Sequence, residues 1–137
     1  MYIVLNKDRM VIEKEQDVVL YRNRVKEFAV KIGMSLVNQT KLITAASELV
    51  RNMLKYANGG VTTIEVISKG RENGIRLIFE DKGPGIADLN LAMKDGFSTG
   101  KSLGLGLPGA KRLSSEFDIK STVGKGTTIT LIKWKNG

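Results

Sequence analysis

Glu48, Asn52 and Lys55 fall close together on one face of a segment with helical periodicity, and their side chains have chemical reach. A carboxylate can orient an attacking hydroxyl or accept its proton. An amide oxygen suits Mg2+, which prefers oxygen ligands and keeps several waters. An ammonium neutralises phosphate. Together they could act on a magnesium-bound phosphate, or they could be an ordinary solvated polar face. Two features weigh against the plain reading. Their neighbours are small or apolar (Ala45, Ala46, Leu49, Met53), and a glycine-rich stretch with its own acid follows.

That stretch runs from Glu80 to Leu113 and holds seven of the 15 glycines and both prolines. Glycine loses more conformational freedom on folding than any other residue, so a cluster of them suggests backbone brought close to something, often a phosphate. Asp81 follows the apolar run Ile75–Phe79 and opens the turn Asp81-Lys82-Gly83-Pro84-Gly85. The turn is unremarkable in isolation. As a site, Asp81 would accept a hydrogen bond from an exocyclic amine while Gly83 and Gly85 let a flat base approach. Gly104-Leu105-Gly106-Leu107-Pro108-Gly109 spells G-x-G-x-x-G, but polar loop rather than a strand precedes it and no parallel βαβ unit follows. The dinucleotide reading is therefore rejected. What remains is a glycine loop opening a basic helix, whose free N–H groups and dipole favour an anion. The loop Gly96–Lys101, with Ser98 and Thr99, would form a small lid over phosphates. Gly126-Thr127 reads equally as a hairpin glycine and the first residue of a strand.

The elements that must position these residues are legible from period and punctuation. Residues 9–14 (RMVIEK) read as an edge strand. Val18, Tyr21, Val25, Phe28, Ala29 and Ile32 recur at helical spacing from Asp17, and Gly33 closes that helix. Ser35 is a fitting N-cap for a second, longer helix, which Asn58-Gly59-Gly60 stops. Val61–Ile67 and Ile75–Phe79 read as antiparallel neighbours joined by a turn at residues 68–74. Short helices are expected near Asp88–Lys94 and at Pro108–Glu116, and a final hairpin pairs Asp118–Val123 with Thr127–Trp134. This order predicts a single domain over residues 1–137. Its fold would be α+β: a two-layer sandwich with one mixed, mostly antiparallel sheet and its helices on one face.

Composition removes several classes. With no cysteine there is no disulfide framework and no thiol chemistry. With no histidine there is no Ser-His-Asp triad, no histidine metal site and no phosphohistidine in this chain. Apolar runs are far too short for a membrane span, and residues 1–5 lack the basic lead of a signal peptide, so no membrane partner and a cytoplasmic location are expected. The net charge of +8 suits a polyanionic or phosphate-bearing partner. No basic stripe with interleaved aromatics accompanies it, so nucleic-acid binding is not expected.

Taken in order, E-x-x-x-N, D-x-G-x-G, G-x-G-x-x-G and G-T resemble the GHKL superfamily, which includes gyrase-type and Hsp90-type ATPases, MutL, histidine kinases and anti-sigma-factor serine kinases. Thr44–Ala57 (TAASELVRNMLKYA), Asp95–Thr99 (DGFST) and Leu103–Leu113 (LGLGLPGAKRL) are most similar to the small serine kinases of that group. The resemblance implies a Bergerat-type site for ATP and Mg2+. Glu48 would be the general base and Asn52 the Mg2+ ligand. Asp81 would recognise the adenine amino group, bordered by Gly83 and Gly85. Gly104, Leu105, Gly106, Leu107 and Gly109, with Ser98 and Thr99, would surround the phosphates. Thr127 would close the adenine end, and Lys55 would contact phosphate. It also implies a serine/threonine protein kinase of a bacterial partner-switching stress response. Such a kinase phosphorylates STAS-domain antagonist or scaffold proteins and activates a PP2C-type phosphatase by binding. Two alternatives stand beside it: the ATP-binding half of a histidine kinase, which would need a separate acceptor, and a non-catalytic ATP-binding module. The oligomeric state is left open.

Overall fold

Local signals place the two long helices. The first, α1 (Glu15–Lys31), starts where the Asp17 carboxylate accepts the backbone N–H groups of Glu13 at 2.8 Å and Lys14 at 3.1 Å. This satisfies donors that a helix N-terminus leaves free and holds the Asp17 carboxyl below the usual range. It ends before Gly33, whose φ of +81° suits a residue without Cβ. The second, α2 (Leu36–Ala57), is capped by Ser35, whose hydroxyl accepts from Asn38 N at 3.2 Å, as expected. It stops at Asn58 in the left-handed region.

The computed structural model describes residues 1–93 and 106–137. Around the two helices lie β1 (Ile3–Ile12), β2 (Gly60–Lys69), β3 (Glu72–Asp81), a short α3 (Leu89–Ala92), α4 (Gly106–Leu113), β4 (Glu116–Thr122) and β5 (Gly126–Trp134). The strands form one sheet in the order β1-β2-β3-β5-β4. The α+β sandwich is as expected, but among the described residues every strand pairing is antiparallel, where a mixed, mostly antiparallel sheet is expected from sequence. After β3 the chain travels to the far edge, forms β4, and returns as β5 between them. That path puts the ends of β3 and β5 side by side.

Several boundaries differ from expectation for physical reasons. β1 begins at Ile3 rather than residue 9 and so also takes in Lys7 and Asp8. An edge strand tolerates such charges because much of it faces water. β3 absorbs Glu72–Gly74, since the register with β2 continues to Lys69↔Glu72. Glu116 opens β4 instead of closing a helix, because it pairs with Ile132.

The core lies between the helices and one face of the sheet. Ile75, Leu77 and Phe79 of β3 alternate inward beside Ile129 and Leu131 of β5. They meet Val18, Tyr21, Val25 and Ala29 of α1 and Leu42, Leu49, Val50 and Met53 of α2. Tyr21 is fully buried, edge-on to Phe79 with ring centroids 5.8 Å apart. Among the described residues its hydroxyl has no hydrogen-bond partner, and burial pushes its pKa well above the ordinary value. Leaving a hydroxyl dry and unpaired costs about 1–3 kcal/mol, whereas the ring contact survives without it. Tyr21→Phe is therefore expected to stabilise the fold by about 1 kcal/mol in urea titration. A loss of stability would show that the hydroxyl does useful work.

Candidate functional site

Asp81 is the last residue of β3, and one of its oxygens organises the end of the sheet. Oδ1 accepts the backbone N–H of Gly83 at 2.9 Å and of Thr127 at 3.2 Å. Asp81 pairs with Thr127 across β3–β5, and Thr127 pairs with Ser121 across β5–β4. Cross-strand partners share a face, so the three residues form one row. It continues the face that carries Phe79 and Ile129, and so lies on the helix side of the sheet. Thr127 is buried, and its hydroxyl is 2.8 Å from Ser121 Oγ. Ser121 Oγ also accepts Ile86 N at 2.7 Å, which ties the turn after β3 to the outer strand. Among the described residues, Asp81 Oδ2 takes part in no hydrogen bond.

The glycines of the turn have a packing role. A Cβ on Gly83 would stand 2.6 Å from Ala57 Cβ, at the last residue of α2. One on Gly85, at φ +78°, would meet Thr122 O at 2.5 Å. The turn is thus pressed between the end of α2 and the β4–β5 hairpin, and Gly124 N donates to Pro84 O at 2.9 Å. Gly126 is the tightest point, because its Cβ would lie 2.0 Å from Asp81 O.

The contact at Ala57 relates this row to α2, the helix of Glu48 and Asn52. At 1.5 Å of rise per residue, Asn52 and Glu48 lie about 7.5 Å and about 13.5 Å back along the α2 axis. Both are half-buried, and α2 packs against α4. Lys55 is exposed, with Nζ 5.2 Å from the centre of the Tyr56 ring. Pro108, Gly109 and Ala110 of α4 are buried, Leu107 packs against the core, and Gly106 opens the helix at φ +50°. Ser98, Thr99, Gly104, Leu105 and the lid expected at Gly96–Lys101 lie outside the described residues.

The end of the sheet therefore brings Asp81, Gly83, Gly85 and Thr127 together, and through Ala57 it meets the helix bearing Asn52 and Glu48. Sequence reasoning missed Ser121 and Ala57. The signal for Ser121 was the alternation Phe117, Ile119, Ser121, which turns a hydroxyl inward on β4. Gly126→Ala is expected to cost more than about 2 kcal/mol, through its methyl clash and its φ of +124°. Ser121→Ala, which strands the Ile86 N–H, should cost about 1 kcal/mol. A Gly126→Ala protein with an unchanged urea midpoint would contradict the packing account.

Comparison with known proteins agrees with this arrangement. Residues 37–136 match the family described as histidine kinase-, DNA gyrase B-, and HSP90-like ATPase. Serine/threonine-protein kinase RsbT of Bacillus subtilis (strain 168) is 45% identical over 123 residues, covering 90% of this chain and 92% of that protein. An anti-sigma F factor of Thermoanaerobacter sp. (strain X514) is 30% identical over 129 residues, covering 90% of this chain and 89% of that one. The solved RsbU and RsbW domains of Rv1364c from Mycobacterium tuberculosis share the fold, with a TM-score of 0.66 at 21% identity. That match covers 93% of this chain and 32% of the other, so the chain spans about a third of that protein's length. With the motifs, the antiparallel sandwich and the Asp81 row all in agreement, the chain belongs to the histidine kinase-, DNA gyrase B- and HSP90-like ATPase family.

Proposed function

We propose that this chain is a serine/threonine protein kinase that uses Mg-ATP in a cytoplasmic, bacterial partner-switching pathway of stress response, acting as one kinase domain over residues 1–137. The observation that carries the nucleotide site is the division of labour in Asp81. Oδ1 is committed to the turn and β5, which leaves Oδ2 for a ligand beside the end of α2. The protein-kinase activity draws on the 45% identity to RsbT, whose name states that activity. The regulatory setting draws on the anti-sigma factor relatives.

In this reading Asp81 Oδ2 accepts an N–H of the adenine amino group. Gly83, Gly85 and Thr127 border the base. Asn52 lends its amide oxygen to Mg2+. Among the described residues no three acidic side chains gather, so such an ion would draw its other ligands from phosphate and water. Lys55, Ser98, Thr99 and the run Gly104, Leu105, Gly106, Leu107 and Gly109 surround the phosphates with positive charge and backbone donors. Bound ATP supplies the phosphoryl group. Glu48 orients the partner's serine or threonine hydroxyl and receives its proton. Phosphoryl transfer asks mainly for positioning and charge neutralisation, which a set spread along one helix and one strand end can provide. The phosphorylated partners are STAS-domain antagonist or scaffold proteins, and a PP2C-type phosphatase is activated by binding.

Asp81→Asn separates the two oxygens. An amide oxygen can still accept from Gly83 and Thr127, now as a neutral acceptor, so the fold should survive with a stability loss of about 1–3 kcal/mol. ATP affinity by calorimetry should fall roughly tenfold or more, because the second acceptor becomes a donor. Unchanged affinity would remove Asp81 from base recognition. Glu48→Gln should retain ATP binding and lose about 10²–10⁴-fold in phosphorylation of a STAS-domain partner, followed with labelled ATP. Transfer at the wild-type rate would rule out the base role.

A further inference from the structure

A second concave surface lies away from the Asp81 row. A groove of about 300 Å3 runs between α1 and α2, with Val19, Arg22 and Lys26 on one wall and Leu36, Thr40 and Ile43 on the other. Among the described residues no carboxylate lines it. Arg22 and Lys26 are one helical turn apart and exposed, and neither has an ion-pair partner among the described residues. Arg24 on the same helix pairs with Asp8 and Glu27 instead. The apolar part is also open to water: Val19 is 56% exposed and Leu36 74%.

The position of the groove on α2 limits what it can do. At about 100° of turn per residue, Glu48 lies about 130° and Asn52 about 170° around the helix from the groove side chains. An occupant of the groove therefore sits behind the catalytic face and does not present its own hydroxyl to Glu48. Charge and apolarity together narrow the occupant. A second copy of this chain would bring a net charge of +8 to a cationic wall. A nucleic-acid backbone would satisfy Arg22 and Lys26 but leave Val19 and Leu36 against phosphate. A helix with an apolar stripe flanked by acids covers both kinds of surface, because side chains three and four residues apart align with a groove between two helices.

We propose that the α1–α2 groove docks an acidic amphipathic helix of a partner protein that this chain binds without phosphorylating it. This rests on the partner-switching reading above, in which one protein is phosphorylated and another only bound. The probe is a synthetic peptide of about four helical turns, with a leucine stripe, flanking glutamates and no serine or threonine. Its twin carries lysine in place of each glutamate. With the full chain, the glutamate peptide should bind saturably by fluorescence anisotropy. It should shift backbone amide resonances of residues 19–26 and 36–43 but not those of Asp81–Gly85. The lysine peptide should not bind. Arg22→Glu with Lys26→Glu should weaken binding roughly tenfold or more, and Arg24→Glu should change it by less than about twofold. The double variant should phosphorylate a STAS-domain partner within about twofold of wild type. Equal binding of both peptides, an unaffected double variant, or amide shifts centred elsewhere would overturn the proposal. So would displacement of the peptide by a poly-dT oligonucleotide, or a dimer in sedimentation that Leu36→Asp dissociates. A wild-type chain that binds the glutamate peptide yet transfers no phosphate would refute the kinase reading and leave the groove assignment standing.

Discussion

One carboxylate oxygen, Oδ1 of Asp81, holds two backbone N–H groups that belong to different parts of the chain. Gly83 is two residues ahead, while Thr127 is 46 residues away on β5. Hydrogen bonds to a charged acceptor are each worth about 1.5–3 kcal/mol net, roughly twice a neutral bond. The local bond shapes the turn and the distant bond fastens that turn to the central sheet. The position of the turn depends on both, since it lies against Ala57 at the end of α2 as well as against the sheet.

The same constraint explains the glycines. Their density in the sequence suggests backbone brought close to a ligand. At Gly83, Gly85 and Gly126 the missing Cβ instead faces other protein: a helix end, a neighbouring strand and the carbonyl of Asp81 itself. These residues let three elements converge more closely than side chains would permit. The turn and the strand ends thus form a closely packed rim beside the end of α2.

Helix α2 presents different side chains on its different sides. Its inner stripe of Leu42, Leu49, Val50 and Met53 builds the core. Glu48 and Asn52 flank that stripe on one side, towards its C-terminal half, and Leu36, Thr40 and Ile43 line the outer groove towards its N-terminal half. A single helix can serve both because successive residues turn by about 100°, so two sets of side chains share a backbone without competing for space. Small residues between the sets, Ala45, Ala46 and Ser47, are buried and let neighbouring elements come close.

Much of the architecture was legible from local rules. Ser35, Gly33 and Asn58 announce helix ends through their own backbone chemistry, and the period of apolar residues gives α1 and α2 their faces. The four motifs and their order also stand in the one-dimensional text, because each is a short stretch whose residue types suffice to suggest its task. Partnership between distant segments could not be read this way. The sheet order, the long β1 edge, the extension of β3 through Glu72 and the inward turn of Ser121 all follow from register between strands, and a strand's register belongs to the pair. In the sequence Ala57 is only a small residue before the Asn58 stop, and its contact with the turn at Gly83 exists only in the fold. The groove beside Arg22 and Lys26 is likewise a property of two helices at a given separation. Residue type and spacing thus determined which groups were available for chemistry. Only the tertiary structure decided which of them face one another, because that depends on contacts between residues far apart in the chain.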